Sequence, residues 1–151
     1  MSSLIDSCRD LECEINIRKM GTKDADCAIE WLNQRIRKKL GNNSLNFPVD
    51  MMPKNGLAAF DNIGNLLTVA FLYIEKTSPV AVCGWCISNP NNSGKISFAA
   101  ISKIMARMPE YAKSKGAKHL LTIFGDRGIN AILDQLGFIT GEVSENKFKF
   151  L

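Results

Sequence analysis

The chain has 151 residues, 46% of them hydrophobic, and 19 Lys and Arg against 15 Asp and Glu give it a net charge of +4. That length suits one core closed without disulfides or metal, so a single domain over 1–151 is expected. No run of 18 uncharged apolar residues occurs, and Met1 to Asp10 carries acids where a signal peptide would carry a basic region. Neither a membrane span nor a signal peptide is therefore read, and the expected location is the cytoplasm.

Glu14 to Arg18 alternates polar and apolar side chains and predicts a short half-buried strand. From Thr22 to Leu40, Ala25, Ala28, Ile29, Leu32, Ile36 and Leu40 recur at helical spacing, with Asp24 and Asp26 in the first turn and Lys38 and Lys39 in the last. Gly41 suits a left-handed cap. The basic run Arg35, Arg37, Lys38 and Lys39 reads as a solvated helix face. No groove-reading or stacking motif accompanies it, so nucleic acid is not an expected partner.

Gly41 to Lys54 reads as a long connection with room for one helical turn. Gly56–Asp61, Leu66–Lys76 and Val80–Ile87 then predict an antiparallel meander, joined by Asn62-Ile63-Gly64-Asn65 and Thr77-Ser78-Pro79. After the loop Ser88–Ile96, the residues Phe98, Ile101, Ile104, Met105, Met108, Tyr111 and Ala112 share a helical face up to Lys115, and Pro109 is expected to kink or divide that helix. A buried strand Lys118–Phe124 follows. A short helix Ile129–Leu136, ended by Gly137, and a last strand around Lys147–Leu151 complete the order. The class is α/β (α+β), with a mixed central sheet, an antiparallel meander and helices on both faces.

The cysteines Cys8, Cys13, Cys27, Cys83 and Cys86 are odd in number and lack framework spacing, as reduced thiols do. Cys83-Gly84-Trp85-Cys86 is a C-x-x-C, but Ile87-Ser88-Asn89-Pro90 ends a strand after it, whereas a redox site opens a helix. A zinc site would need two further ligands at regular spacing, so no metal is expected. Both cysteines read as small strand residues.

Three local features carry a resemblance. Val80 to Asn91 forms a strand ending in a turn. Asn91-Asn92-Ser93-Gly94-Lys95-Ile96 stands where an [Arg/Gln]-x-x-Gly-x-[Gly/Ala] loop would stand, and Asp126 to Phe138 (DRGINAILDQLGF) lies against N-x-x-A-x-x-x-Y-x-x-x-G-F, aligned on Leu136-Gly137-Phe138. Together with the element order, these resemble the GNAT (GCN5-related N-acetyltransferase) superfamily over the second half of the chain. In that pattern Asn91 replaces Arg or Gln, Ile96 a small residue, Asp126 an Asn, and Leu133 the tyrosine that commonly protonates the departing thiolate.

The resemblance implies an acyl-CoA-dependent N-acyltransferase that moves an acetyl group from acetyl-CoA to a small-molecule or protein amine. Coenzyme A would lie in the V where the strands carrying Cys83–Ser88 and Leu120–Phe124 separate. Its contacts would be Ile87, Asn91, Asn92, Ser93, Gly94, Lys95, Ile96 and Asp126, because successive N–H groups at a helix start bind a pyrophosphate. A backbone N–H of Cys86 or Ile87 would polarise the thioester, and the amine would attack directly. Glu75 and Asp61, at strand ends, read either as a general base or as solvated carboxylates. His119 and Tyr73 read as structural, and Trp85 as core or as a pocket wall. A second reading is a catalytically inactive GNAT-fold protein, similar through Ser93-Gly94-Lys95 and the Leu-Gly-Phe segment to small proteins of tailed bacteriophages. Its role would be structural or host-interacting, in host cytoplasm or virion, with homodimer or virion assembly left open.

Overall fold

The computed structural model describes residues 14–44 and 46–141. In chain order they form β1 (Asn16–Lys19), α1 (Thr22–Leu40), a 3-10 turn (Val49–Met51), β2 (Asn55–Phe60), β3 (Leu66–Ile74), β4 (Val80–Ser88), α2 (Gly94–Ser114), β5 (His119–Thr122) and α3 (Arg127–Gln135). The strand expected around Lys147–Leu151 lies outside the described residues. No helix among them is long and apolar enough to cross a membrane.

The sheet runs β1-β2-β3-β4-β5, antiparallel through β4 and parallel between β4 and β5. A mixed sheet with an α/β crossover at its end is the architecture that the order of elements predicts. Between β3 and β4 the register slips: Phe71 faces Trp85 but Tyr73 faces Val82, so β4 carries one extra residue at Cys83-Gly84. Such a bulge bends the strand that holds it.

Side-chain alternation divides the interior into two layers. Val69, Phe71 and Ile87 meet Ala28, Ile29 and Leu32 of α1 together with Phe47 and Met52, while Ala70, Leu72, Ala81 and Cys83 meet Ile104, Met105 and Met108 of α2 and Ile129, Ile132 and Leu133 of α3. β3 is thus buried on both sides, which explains its unbroken apolar run. α1 is fixed at its start by Asp24, whose carboxylate accepts the Gly21 N–H at 2.8 Å, and at its end by Gly41 at φ 64°. Only a residue without a Cβ takes that backbone angle freely.

Three expectations are corrected. α2 begins at Gly94, inside the expected loop Ser88–Ile96, because Ser93 caps it; the Ser93 hydroxyl accepts the Ile96 N–H at 3.3 Å. Pro109 does not divide α2, which runs unbroken to Ser114. Its ring is exposed, and the buried neighbours Met105, Met108 and Ala112 hold the helix to the sheet across the missing bond. β5 is neither long nor buried: it has four residues, and Leu121 is 50% exposed because α1 covers β3 and β4 but does not reach this edge.

Among the described residues no group of three or more His, Cys, Asp or Glu is placed to hold a metal. Burial pushes the Cys83 thiol up to about 12 and also lifts Cys86 well above the ordinary 9.0, so both stay protonated near neutrality. A thiol raised by folding holds its proton more tightly in the native state. The stability this gives is complete below pH 9 and falls as pH climbs toward about 12. Denaturation titrations at pH 8 and 10.5 are expected to show lower stability at the higher pH, and the loss should shrink in a Cys83→Ala variant. Pro109→Ala restores an N–H donor in mid-helix and should raise stability by up to about 3 kcal/mol in urea unfolding, with no change in fold.

Candidate active site

The last hydrogen bond that ties β5 to β4 runs from the Ile123 N–H to the Cys83 carbonyl, 3.1 Å. Pairing covers Val80–Cys83 against His119–Thr122 and stops there. Gly84 still lies close to the departing chain, since a Cβ built on it would come 3.7 Å from the Ile123 carbonyl oxygen. From Trp85 to Ser88, β4 is paired to β3 alone, and a wedge opens along its other edge. Cys86 faces Ala70 and Ile87 faces Val69. N–H directions alternate along a strand, so of two successive residues one bonds β3 and the other points into the wedge.

The wedge ends at the loop Asn89–Ser93, which is held from below. The Asn89 N–H donates to the Leu67 carbonyl at 2.8 Å, and the Asn92 amide donates to the same carbonyl at 2.8 Å and to the Ser97 hydroxyl at 3.2 Å. This fixed turn delivers the first turn of α2 to the mouth of the wedge. Ser93 accepts from Ile96 through its hydroxyl and from Ser97 through its carbonyl, leaving the N–H groups of Gly94 and Lys95 without acceptors among the described residues. Unpaired N–H groups at a helix start attract anions. A Cβ placed on Gly94 would meet nothing within 4 Å, so the glycine leaves open space in front of these donors. Asn91 and Lys95 are exposed beside it. The branched side chain of Ile96 turns inward and packs on the core formed with α2, away from that space.

Across the wedge, Asp126 caps α3; its Oδ1 accepts the Ile129 N–H at 3.0 Å. The Asn130 amide, which the sequence reading did not single out, donates to the Phe124 carbonyl at 2.9 Å and fixes the turn that leaves β5. Burial is the main cause of the raised Cys86 pKa, with further upward contributions from Cys83 and Asp126 and a downward one from Arg35. The charges of Asp126 and Arg35 are therefore both felt at Cys86, where β4 and β5 part. Leu133 is 3% exposed and belongs to the core, so it presents no polar group to the wedge.

The other candidates lie apart. β3 runs antiparallel to β4, so Ile74 pairs with Ala81 while Thr68 pairs with Ser88. Glu75 consequently sits in the β3–β4 turn at the end of the sheet away from the wedge. Hydrogen bonds from the Thr77 hydroxyl and N–H hold its carboxyl below the usual range. Asp61 lies at the correct end but two strands away. Desolvation acts to raise its pKa, yet hydrogen bonds from Asn65, Ile63 and Gly64 hold it low overall. His119, at the start of β5, is also at the far end, its N–H donating to the Pro79 carbonyl.

The α1 side of the wedge is aromatic. The rings of Phe47 and Trp85 meet edge to face at 5.2 Å and 66°. The Tyr73 hydroxyl donates to the Met51 carbonyl at 2.9 Å, and burial pushes its pKa up, partly offset by a side-chain hydrogen bond from Trp85. The Phe47 N–H donates to the Asn33 Oδ1 of α1 at 2.5 Å, and Arg37 binds Asn46. The connection after α1 is thereby pinned over β4.

No protein-family model matches the sequence, and no curated protein sequence matches it either. Solved structures do. A probable acetyltransferase superposes with a TM-score of 0.62 at 13% identity over 90% of this chain and 97% of its own. A ribosomal-protein-alanine N-acetyltransferase from Brucella melitensis biovar Abortus 2308 gives 0.58 at 15% identity over 90% and 99%. An aminoglycoside acetyltransferase from an uncultured soil metagenomic sample, solved with trehalose, gives 0.56 at 13% over 93% and 98%. At these identities the likeness shows the fold alone: the chain has the fold of the GNAT acetyltransferases.

Proposed function

We propose that the chain is an acyl-CoA-dependent N-acyltransferase that transfers an acetyl group to an amine. The observation that carries this reading is one juxtaposition: unpaired Gly94 and Lys95 N–H groups stand at the mouth of the wedge where β4 loses its partner. Coenzyme A fits this donor set by chemistry, because its pyrophosphate needs N–H donors, a nearby cation and room to approach. Gly94, Lys95 and the open space before them supply all three. Asn92 and Ser93 shape the loop from behind, while Asn91 lies exposed beside the pyrophosphate site.

Bound acetyl-CoA supplies an activated thioester carbonyl. The chain's part is to orient it along the free edge of β4 and to polarise the carbonyl oxygen with whichever N–H of Cys86 or Ile87 faces the wedge. The amine nitrogen then attacks the carbonyl carbon, the carbon–sulfur bond breaks, and the nitrogen's proton passes to the departing thiolate directly or through water. Leu133 has no proton to give, and Glu75 is out of reach at the far end of the sheet, so catalysis rests on position and polarisation. Asp126 remains a cap whose charge is felt at Cys86 and contributes no proton step.

Acetyl-CoA at about a hundred times its dissociation constant adds roughly 2.7 kcal/mol to the native state. Thermal unfolding with millimolar acetyl-CoA should therefore rise by several degrees. Gly94→Glu places a carboxylate in open space without a steric clash, so the variant should keep the unliganded melting temperature and lose the shift. No shift in the parent protein would instead favour the inactive, partner-binding reading.

A further inference from the structure

We infer that the acceptor taken by this site is a monoamine carried on an aromatic or branched apolar body, and that polyamines and other polycations are poor acceptors. The inference deepens the acyltransferase reading and rests on it. Where β4 parts from β5, its α1 face is lined by Trp85, half-buried, with Phe47 against it and Tyr73 beside it. The 3-10 turn tied to Tyr73 continues this wall outward with two exposed apolar side chains flanking Asp50: Val49 is 59% and Met51 36% exposed. Large apolar side chains held at the surface by hydrogen bonds, beside half-buried aromatic rings, suit an apolar ligand body.

The charges nearby point the same way. Residues 31–40 of α1 contain Arg35, Arg37, Lys38 and Lys39 and no acid, and the connection over 46–54 holds only Asp50 and Lys54. Arg37 is engaged by Asn46 and Glu30. The field of Arg35 reaches Cys86, the residue next to Trp85 on β4. A flank with this net positive charge repels a substrate bearing several ammonium groups more strongly than one bearing a single ammonium group.

The test uses tyramine and spermidine on the full chain. Saturation-transfer NMR should show the tyramine ring in contact with the protein, and Trp85→Ala should abolish the signal. In the acetyl-transfer assay, read as thiol release from acetyl-CoA, kcat/KM for tyramine should exceed that for spermidine by at least about tenfold. Because Trp85 also packs on Phe47, a second variant is Val49→Glu, which sits at an exposed position and should narrow the preference by weakening tyramine and favouring spermidine. Equal or better use of spermidine, or tyramine contacts that survive Trp85→Ala, overturns the inference. Failure of acetyl-CoA to bind overturns the acyltransferase reading instead, and the tyramine NMR still decides whether this wall takes an aromatic amine.

Discussion

The hydrogen bond from the Ile123 N–H to the Cys83 carbonyl marks where two parallel strands stop being a sheet. The candidate site depends on their parting at that point. A strand that loses a neighbour exposes a row of donors and acceptors, and such groups are satisfied by water or by a ligand. The bulge at Cys83-Gly84 falls at the same level, so β4 bends just where it is released. β3 stays paired to β4 beyond that point, and the free edge is therefore held in place although one side is open.

The layers to either side give the opening its two chemistries. Toward α2 and α3 it meets a capped turn, two unpaired N–H groups and a lysine, a setting for an anion. Toward α1 it meets Trp85, Phe47 and a turn bound to the sheet through Tyr73. In the proposed acyl transfer this division has a use: one side takes the polyanionic donor and the other the acceptor, so that the two meet at the gap. Asn33 and Asn92 fix the two loops to α1 and to β3, and both are buried or half-buried. Buried amide side chains in such places act as spacers whose loss leaves carbonyls or N–H groups unpaired.

Much of this was legible in the sequence. The 19-residue helix, its Gly41 cap and the three-strand meander follow from periodicity and turn residues, and so does the existence of α2, although its first turn falls inside the expected loop. The strand order of an antiparallel meander also places Glu75: a residue after β3 lies beside the start of β4, opposite the end where the wedge opens. That consequence is readable from strand order alone. Contacts between distant segments were not legible. Nothing local marks the Phe47 N–H as the partner of Asn33, 14 residues away, or sets Trp85 against Phe47 at the margin of the α1-side core. Pro109 misled for a related reason: its local cost is fixed by the ring, but burial of Met105, Met108 and Ala112 against the sheet outweighs it.

The central claim is that the free edge of β4 and the first turn of α2 together hold coenzyme A. The most direct test is an amide-resolved NMR titration of the 15N-labelled chain with coenzyme A. The account predicts saturable shifts concentrated at Gly94, Lys95 and the Gly84–Ser88 stretch of β4, with residues around His119 and Glu75 unmoved. Shifts confined to the basic end of α1, or none at all, would contradict it.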